Sequence, residues 1–213
     1  MKHFVRFLVL SFTAVLVAAA TETGDLGDNL AYLRVRSLAE SIPAVRSAVT
    51  GSNALVLDLR HTVADDNSLP LLQTALSLHP AGIPLFVLVS PATPRAVSDA
   101  VNSTARVVSL GVAHSPGVTV VVAGDGDTDR RAYEALDHGV SLQSLISGKV
   151  EKERFDEATL VEEFKAGNTD AAPPPAPGPT LAKPDLSTKP APLIDRVLQR
   201  AVQLHRALLA LRR

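Results

Sequence analysis

Serine, histidine and aspartate, the residue types of a hydrolytic triad, follow the predicted strands of this chain. In such a triad the histidine takes a proton from the serine hydroxyl and the aspartate orients the histidine, so the three must meet in space. The chain has no nucleophile elbow, which favours an interpretation of these residues as the lining of a cleft. The candidate cleft residues are His61, Asp66, Ser90, Ser98 and His114, and Asp65 and Ser115 complete the set from which a triad could be built.

A second candidate for chemistry is the acidic run DGDTD at 125–129, whose alternating carboxylates match the start of a calcium loop. The match then ends, because Arg130 stands where the loop needs glycine and Leu136 where it needs a bidentate acid. Acidic residues at the start of a helix explain the run, since they interact favourably with the helix dipole. We predict no metal and no cofactor, and the absence of cysteine excludes thiol chemistry and disulfides.

The elements that must position these residues alternate between strands and helices, which predicts an α/β domain with a mainly parallel sheet and flanking helices. Two of the strands are apolar on both faces, as strands covered by helices on each side should be. Thr21 to Asn29 is interpreted as a polar lead-in. The predicted strands are LAYLRVRSL (30–38), NALVLDL (53–59), IPLFVLVS (83–90), ARVVSLG (105–111) and GVTVVVAG (117–124).

The segments before and after this core differ from it in composition. Residues 1–20 have a basic start, an uncharged apolar run and a small-residue end, the pattern of a signal peptide. The alternative is a membrane anchor, although the run is shorter than the ~20 residues that a span needs. We therefore expect an exported protein, periplasmic or extracellular. The predicted organisation is 1–20 signal peptide, 21–170 α/β domain, 171–192 proline-rich linker and 193–213 basic amphipathic helix.

The helix at 193–213 is predicted to be separate from the domain, because a proline-rich linker precedes it. Its apolar stripe and its arginines suit three roles: attachment to a membrane surface, docking of a protein partner or self-association, and packing on its own domain. The rest of the mature chain is acidic, although the whole sequence carries a net charge of only −1. An acidic body excludes nucleic acid as a partner, because nucleic-acid binding needs a basic surface.

Three segments together resemble a known family. YLRVRSL, ALVLDLR and GIPLFVLVSPATPRAVSDAV, in this order and spacing, are similar to the core of the tail-specific (carboxyl-terminal-processing) serine proteases. The resemblance covers roughly residues 28–125 and implies a crotonase-like (ClpP-like) fold. It also implies a serine nucleophile, a lysine base and a pair of glycines whose N–H groups bind the oxyanion.

The family's catalytic positions are degenerate here. By register, Arg95 stands at the nucleophile, Gly117 at the lysine, and Ala64 and Asp65 at the oxyanion glycines. No lysine occurs between Lys2 and Lys149. The sequence thus predicts a non-catalytic relative that binds or scaffolds, with a peptide or protein in the inherited cleft. The alternative is a serine-type peptidase of the same family with an atypical catalytic set.

Overall fold

A six-stranded sheet forms the centre of the fold, and its strands lie side by side in the order in which they occur along the chain. The computed structural model describes residues 21–147 and 192–212. The first strand pairs with the second in antiparallel orientation, and all later pairs are parallel, which confirms the α/β class and the mainly parallel sheet. The strands are β1 (Thr21–Asp25), β2 (Leu30–Val35), β3 (Ala54–Asp58), β4 (Leu85–Leu88), β5 (Val107–Gly111) and β6 (Val120–Val121).

One face of the sheet is covered by the amino-terminal layer, which consists of α1 (Leu38–Val49), α2 (Ser68–Ser77) and α3 (Arg95–Asn102). Each helix lies between two consecutive parallel strands along the chain. The side chains that meet here are almost all aliphatic, with Leu55 and Leu57 of β3 at the centre. This layer is therefore built from short-range crossover connections and a continuous apolar interface.

The opposite face is covered by the carboxyl-terminal layer of α4 (Gly126–Ala135), α5 (Leu142–Ser147) and α6 (Arg196–Leu211). A 3₁₀ turn, Leu136–His138, follows α4. The apolar stripe of α6 is buried in the same core as Val56 of β3 and Phe86 of β4. The prediction of a separate C-terminal helix is therefore not confirmed, because this stripe packs on the sheet of its own domain.

Because side chains alternate along a strand, the α4–α6 face also receives the polar residues of β2 and β3. Tyr32, Arg34 and Asp58 all point to this face, and all three are buried. The predicted signal peptide and, except for Pro192, the predicted linker lie outside the described residues. None of the helices described at 21–147 and 192–212 has the length and apolar character needed to cross a bilayer.

Candidate functional site

A buried arginine organises the carboxyl end of β3. The Arg60 side chain is fully buried and lies within ion-pair distance of three carboxylates: Asp58 at 2.7 Å, Asp195 at 2.7 Å and Asp129 at 2.8 Å. Asp58 also accepts a hydrogen bond of 2.8 Å from the hydroxyl of Tyr32. We refer to these five residues as the Arg60 cluster.

Each carboxylate of the Arg60 cluster comes from a different element. Asp58 ends β3, Asp129 lies in the first turn of α4, and Asp195 is the N-cap of α6. Asp195 performs two tasks, since its other oxygen accepts the backbone N–H of Leu198 at 2.9 Å. The guanidinium therefore connects the sheet to the starts of two helices in the carboxyl-terminal layer.

The Arg60 cluster changes the pKa values of two of its carboxyl groups in opposite directions. Burial acts to raise the pKa of Asp58, but the charge and hydrogen bonds of Arg60 outweigh it and hold that pKa below its usual value. Burial also raises the pKa of Asp129; Arg60 opposes this only in part, and the negative charge of Asp195 adds to it. One oxygen of Asp129 is buried without a hydrogen-bond partner. Three carboxylates share one guanidinium, and Asp129 is the least well satisfied.

A second buried arginine, Arg34 of β2, holds the end of α4. It donates hydrogen bonds to the carboxylate of Asp137 at 2.7 Å and to the carbonyl oxygen of Tyr133 at 3.0 Å. Its guanidinium also lies 3.6 Å from the centre of the Tyr133 ring, a cation–π contact. Burial acts to raise the pKa of Asp137, but the hydrogen bonds and charges of Arg34 and Arg36 together outweigh it and hold that pKa below its usual value. Sheet and carboxyl-terminal layer are thus joined at two charged points.

Ala64 and Asp65, which the sequence resemblance aligns with a pair of oxyanion glycines, lie in a loop closed by its own hydrogen bonds. The backbone N–H of Asp65 donates to the Ser68 hydroxyl at 3.2 Å, and the Asp65 carboxylate accepts the N–H of Ser68 at 2.7 Å. These bonds close the loop that leads into α2, next to Ala64. The N–H of Asp65 is therefore directed at a side chain of its own loop and is not available to a substrate.

The nucleophile and base positions have no catalytic surroundings either. Arg95 is the first residue of α3, and its side chain is 88% exposed, 3.9 Å from Asp99. Gly117 has φ of +62°, and a Cβ built there would lie 1.9 Å from the Asn102 amide nitrogen. Its carbonyl oxygen accepts a hydrogen bond of 3.0 Å from the Ser109 hydroxyl. A lysine at position 117 would meet both backbone strain and a steric clash.

The candidate cleft residues are not connected to one another. The Ser90 hydroxyl donates to the backbone carbonyl of Arg60, and the Ser98 hydroxyl is buried without a partner. The His61 ring packs against Tyr133, with 4.5 Å between the ring centres, and burial followed by the charge of Arg60 lowers its pKa. Asp66 and His114 are exposed. Among the residues that the structure describes, no hydrogen bond joins a histidine to a serine or an aspartate of this set.

The acidic run at 125–129 begins α4. Asp125 is the N-cap, and its carboxylate accepts the N–H of Thr128 at 2.7 Å, a hydrogen bond that lowers its pKa. Asp129 turns inward to Arg60. Within the described ranges 21–147 and 192–212, no group of three or more metal-binding side chains is close enough to hold an ion. The alternating carboxylates thus serve a helix start and a buried ion cluster.

An open groove lies beside the Arg60 cluster, between the last strand and α6. This β6–α6 groove has a volume of about 570 Å³. It continues into a recess of about 130 Å³ that is bounded by Thr128 and Asp129 of α4. The groove is lined by Val121, Val122, Ala123, Ile194, Arg196, Gln199, Arg200 and Gln203.

The sequence contained a signal for the Arg60 cluster. Asp58 interrupts an otherwise apolar strand, and a charged residue inside a buried strand requires a partner. The other carboxylates of the cluster could not be identified in the same way, because Asp129 and Asp195 lie 69 and 135 residues beyond Arg60. Comparison with models of known protein families and with curated proteins finds no match for this chain.

Proposed function

We propose that this protein is an exported, catalytically silent relative of the tail-specific serine proteases, with a crotonase/ClpP-like core that acts as a binding or scaffolding module. The proposal is supported by the three segments that carry the resemblance. They form β2, β3 and β4 with its following helix, and these three strands are neighbours in the sheet. Export is proposed from residues 1–20, which lie outside the described residues.

The observation that carries the loss of catalysis is the hydrogen bonding of Asp65. An oxyanion hole needs N–H groups that are free and directed at the substrate. At the corresponding position the N–H is bound to Ser68, and a carboxylate that would repel an oxyanion stands beside it. Arg95 and Gly117 supply neither a nucleophile nor a base. Binding without turnover is the function that these residues support best.

The test is a fluorophosphonate probe together with a casein hydrolysis assay on the full chain, with an active serine hydrolase as positive control. We expect no labelled serine and no hydrolysis, because the hydroxyl of Ser90 is bound to a backbone carbonyl and those of Ser98 and Ser115 have no hydrogen-bond partner among the described residues. Ser90→Ala, Ser98→Ala and Ser115→Ala provide the matched variants. Labelling or hydrolysis that one of these variants abolishes would establish the atypical peptidase in place of the silent relative.

A further inference from the structure

We propose that the β6–α6 groove binds an extended acidic peptide of another protein, which adds to the sheet as a strand beside β6. This inference rests on the proposed binding function and assigns it a surface and a class of partner. Three features of the groove support it: an open sheet edge, an exposed apolar side chain on that edge, and two arginines that have no carboxylate partner among the residues described by the structure.

The sheet is open at β6. This strand is the last in the sheet, and no other described strand pairs with its outer side. Hydrogen bonds to β5 extend beyond its two residues, from the N–H of Thr119 to the carbonyl of Ser109 at 3.0 Å and from the N–H of Val122 to the carbonyl of Gly111 at 2.8 Å. The paired edge thus consists of the two residues of β6 with one further hydrogen bond on each side, and the chain bends at Thr119 and at Ala123. Such an edge is a template for one more strand.

The edge also presents an apolar side chain. Val121 is 62% exposed, and it lines the groove next to the partly buried Val122 and Ile194. Side chains of an added strand alternate in direction, so every second residue of a bound peptide would face this apolar wall. A peptide with small apolar residues at alternate positions therefore fits the edge.

The positive charge of the groove determines which residue type suits the other positions of the peptide. Arg196 and Arg200 are exposed on α6, and among the described residues neither has a carboxylate within ion-pair distance. Their hydrogen bonds to other described residues are long, 3.5 Å from Arg196 to the carbonyl of Ala123 and 3.4 Å from Arg200 to the side chain of Gln203. Arg34, Arg60 and Arg206 all have carboxylate partners. Two free guanidinium groups beside a strand edge suit the carboxylates of an acidic peptide.

A second cleft, at the carboxyl end of α6, differs from the β6–α6 groove in the contacts of its charged groups. It has a comparable volume of about 530 Å³ and is lined by the amino ends of the strands. Its charged groups are already engaged, since Arg206 pairs with Asp28 at 2.9 Å and Arg212 donates to the carbonyl of Gly82 at 2.5 Å. Two arginines without a carboxylate partner among the described residues, Arg196 and Arg200, thus lie at the β6–α6 groove, against one, Arg212, at this cleft.

The experiment measures fluorescence anisotropy of a labelled peptide of alternating valine and glutamate with the full chain. We expect saturable binding that weakens as salt is added, because exposed charges are screened. Arg196→Glu with Arg200→Glu should weaken binding by about tenfold or more, since two attractive contacts become repulsive. The matched control is Arg46→Glu on α1, an exposed arginine on the opposite face, which should leave the affinity unchanged.

Further probes distinguish an added strand from a purely ionic contact. A peptide with proline in place of the central valine should bind at least tenfold more weakly, because proline cannot donate to a strand ladder. Equal affinity for the proline peptide, for a valine–lysine peptide or for the Arg196→Glu, Arg200→Glu variant would overturn the proposal. Binding to anionic vesicles without binding to the peptide would also overturn it.

The chain contains an acidic segment of its own, with six carboxylates between Glu151 and Glu163. A variant with all six changed to their amides tests this competing occupant. If the peptide binds only to that variant, the groove serves the chain's own segment and the external partner is ruled out. The two proposals can fail separately, because they have separate readouts. Peptide binding tests the role of the groove, and probe labelling tests the loss of catalysis.

Discussion

The two faces of the sheet are covered in different ways. The amino-terminal layer is built from helices that lie between consecutive strands, and it meets the sheet through aliphatic side chains. The carboxyl-terminal layer comes from later in the chain, and α6 comes from beyond residue 191. This second interface is apolar as well, but Arg34 and Arg60 also connect it to the sheet through ion pairs.

The difference indicates what the charged residues contribute. A helix between two adjacent strands has little choice of position, because short connections determine where it packs. A helix that arrives from far along the chain has no such constraint, and an apolar stripe alone allows it to slide or rotate. We interpret the Arg60 cluster as the feature that fixes the position of α6, since a buried ion pair is satisfied in only one arrangement.

The largest expected effect comes from Arg60→Met, which keeps the side-chain volume but leaves three buried carboxylates without a cation. Removal of one partner of a buried ion pair costs about 3–5 kcal/mol. We expect a loss of this size in the free energy of unfolding, measured with urea. We also expect hydrogen exchange to accelerate in α4 and α6 before it does so in α1–α3.

The control for this variant is Arg130→Met, on the surface of α4. Arg130 pairs with Glu134 at 3.0 Å, but both side chains are about half exposed, so its loss should cost less than about 1 kcal/mol. Similar losses in the two variants, or exchange that accelerates equally in both layers, would contradict the special role of the Arg60 cluster.

A smaller effect is expected from Asp195, whose ion pair and helix cap can be separated. Asp195→Asn removes the charge but keeps an oxygen that can accept the N–H of Leu198. Asp195→Ala removes both, and the lost cap should cost about 1 kcal/mol more. Urea unfolding of the two variants measures this difference.

The cap of α4 provides the comparison for Asp195. Asp125→Ala removes the same kind of bond, to the N–H of Thr128, without touching Arg60. The loss of unfolding free energy in Asp125→Ala should equal the difference in unfolding free energy between Asp195→Ala and Asp195→Asn. If Asp195→Asn is as stable as the natural chain, the ion pair to Arg60 contributes nothing and α6 is held by its apolar stripe alone.

The sequence predicted the parts of the fold that depend on local pattern. Strands β3 and β4 were identified because a strand covered on both faces is a continuous apolar run, and β2 was identified from the alternation of its side chains. β1 was not, since Thr21–Asp25 is a polar edge strand with no such run. A Cβ at Gly24 would lie 2.2 Å from a terminal methyl group of Leu142, so β1 packs closely against α5, a contact that no local pattern reveals.

The docking of α6 and the Arg60 cluster could not be predicted for a related reason. An amphipathic stripe shows that a helix buries one face but not what covers it. The motif ALVLDLR was interpreted through its resemblance to a protease, and Asp58 and Arg60 instead form the centre of an ion cluster. Of the candidate cleft residues, Ser98 lies within α3, and hydrogen bonds such as that of Asp65 to Ser68 depend on detailed geometry that no local pattern reveals.

The smallest effect, and the sharpest test of the electrostatics, is Asp129→Asn. A carboxyl group whose pKa is raised in the folded state binds its proton more tightly there, so its contribution to stability is present at low pH and is lost as pH rises. Between a pH of about 4, the usual pKa of aspartate, and the raised pKa of Asp129, the natural chain should therefore lose stability relative to the variant.

Any free-energy cost of burying the asparagine amide does not depend on pH. Such a cost shifts the plot of unfolding free energy against pH without changing its slope. Urea unfolding at several pH values measures the difference, with Asp127→Asn, exposed on the same helix, as the matched control. If the natural chain instead gains stability over Asp129→Asn as pH rises, the bond from Arg60 outweighs the burial of Asp129, and all three carboxylates are ionised around one guanidinium.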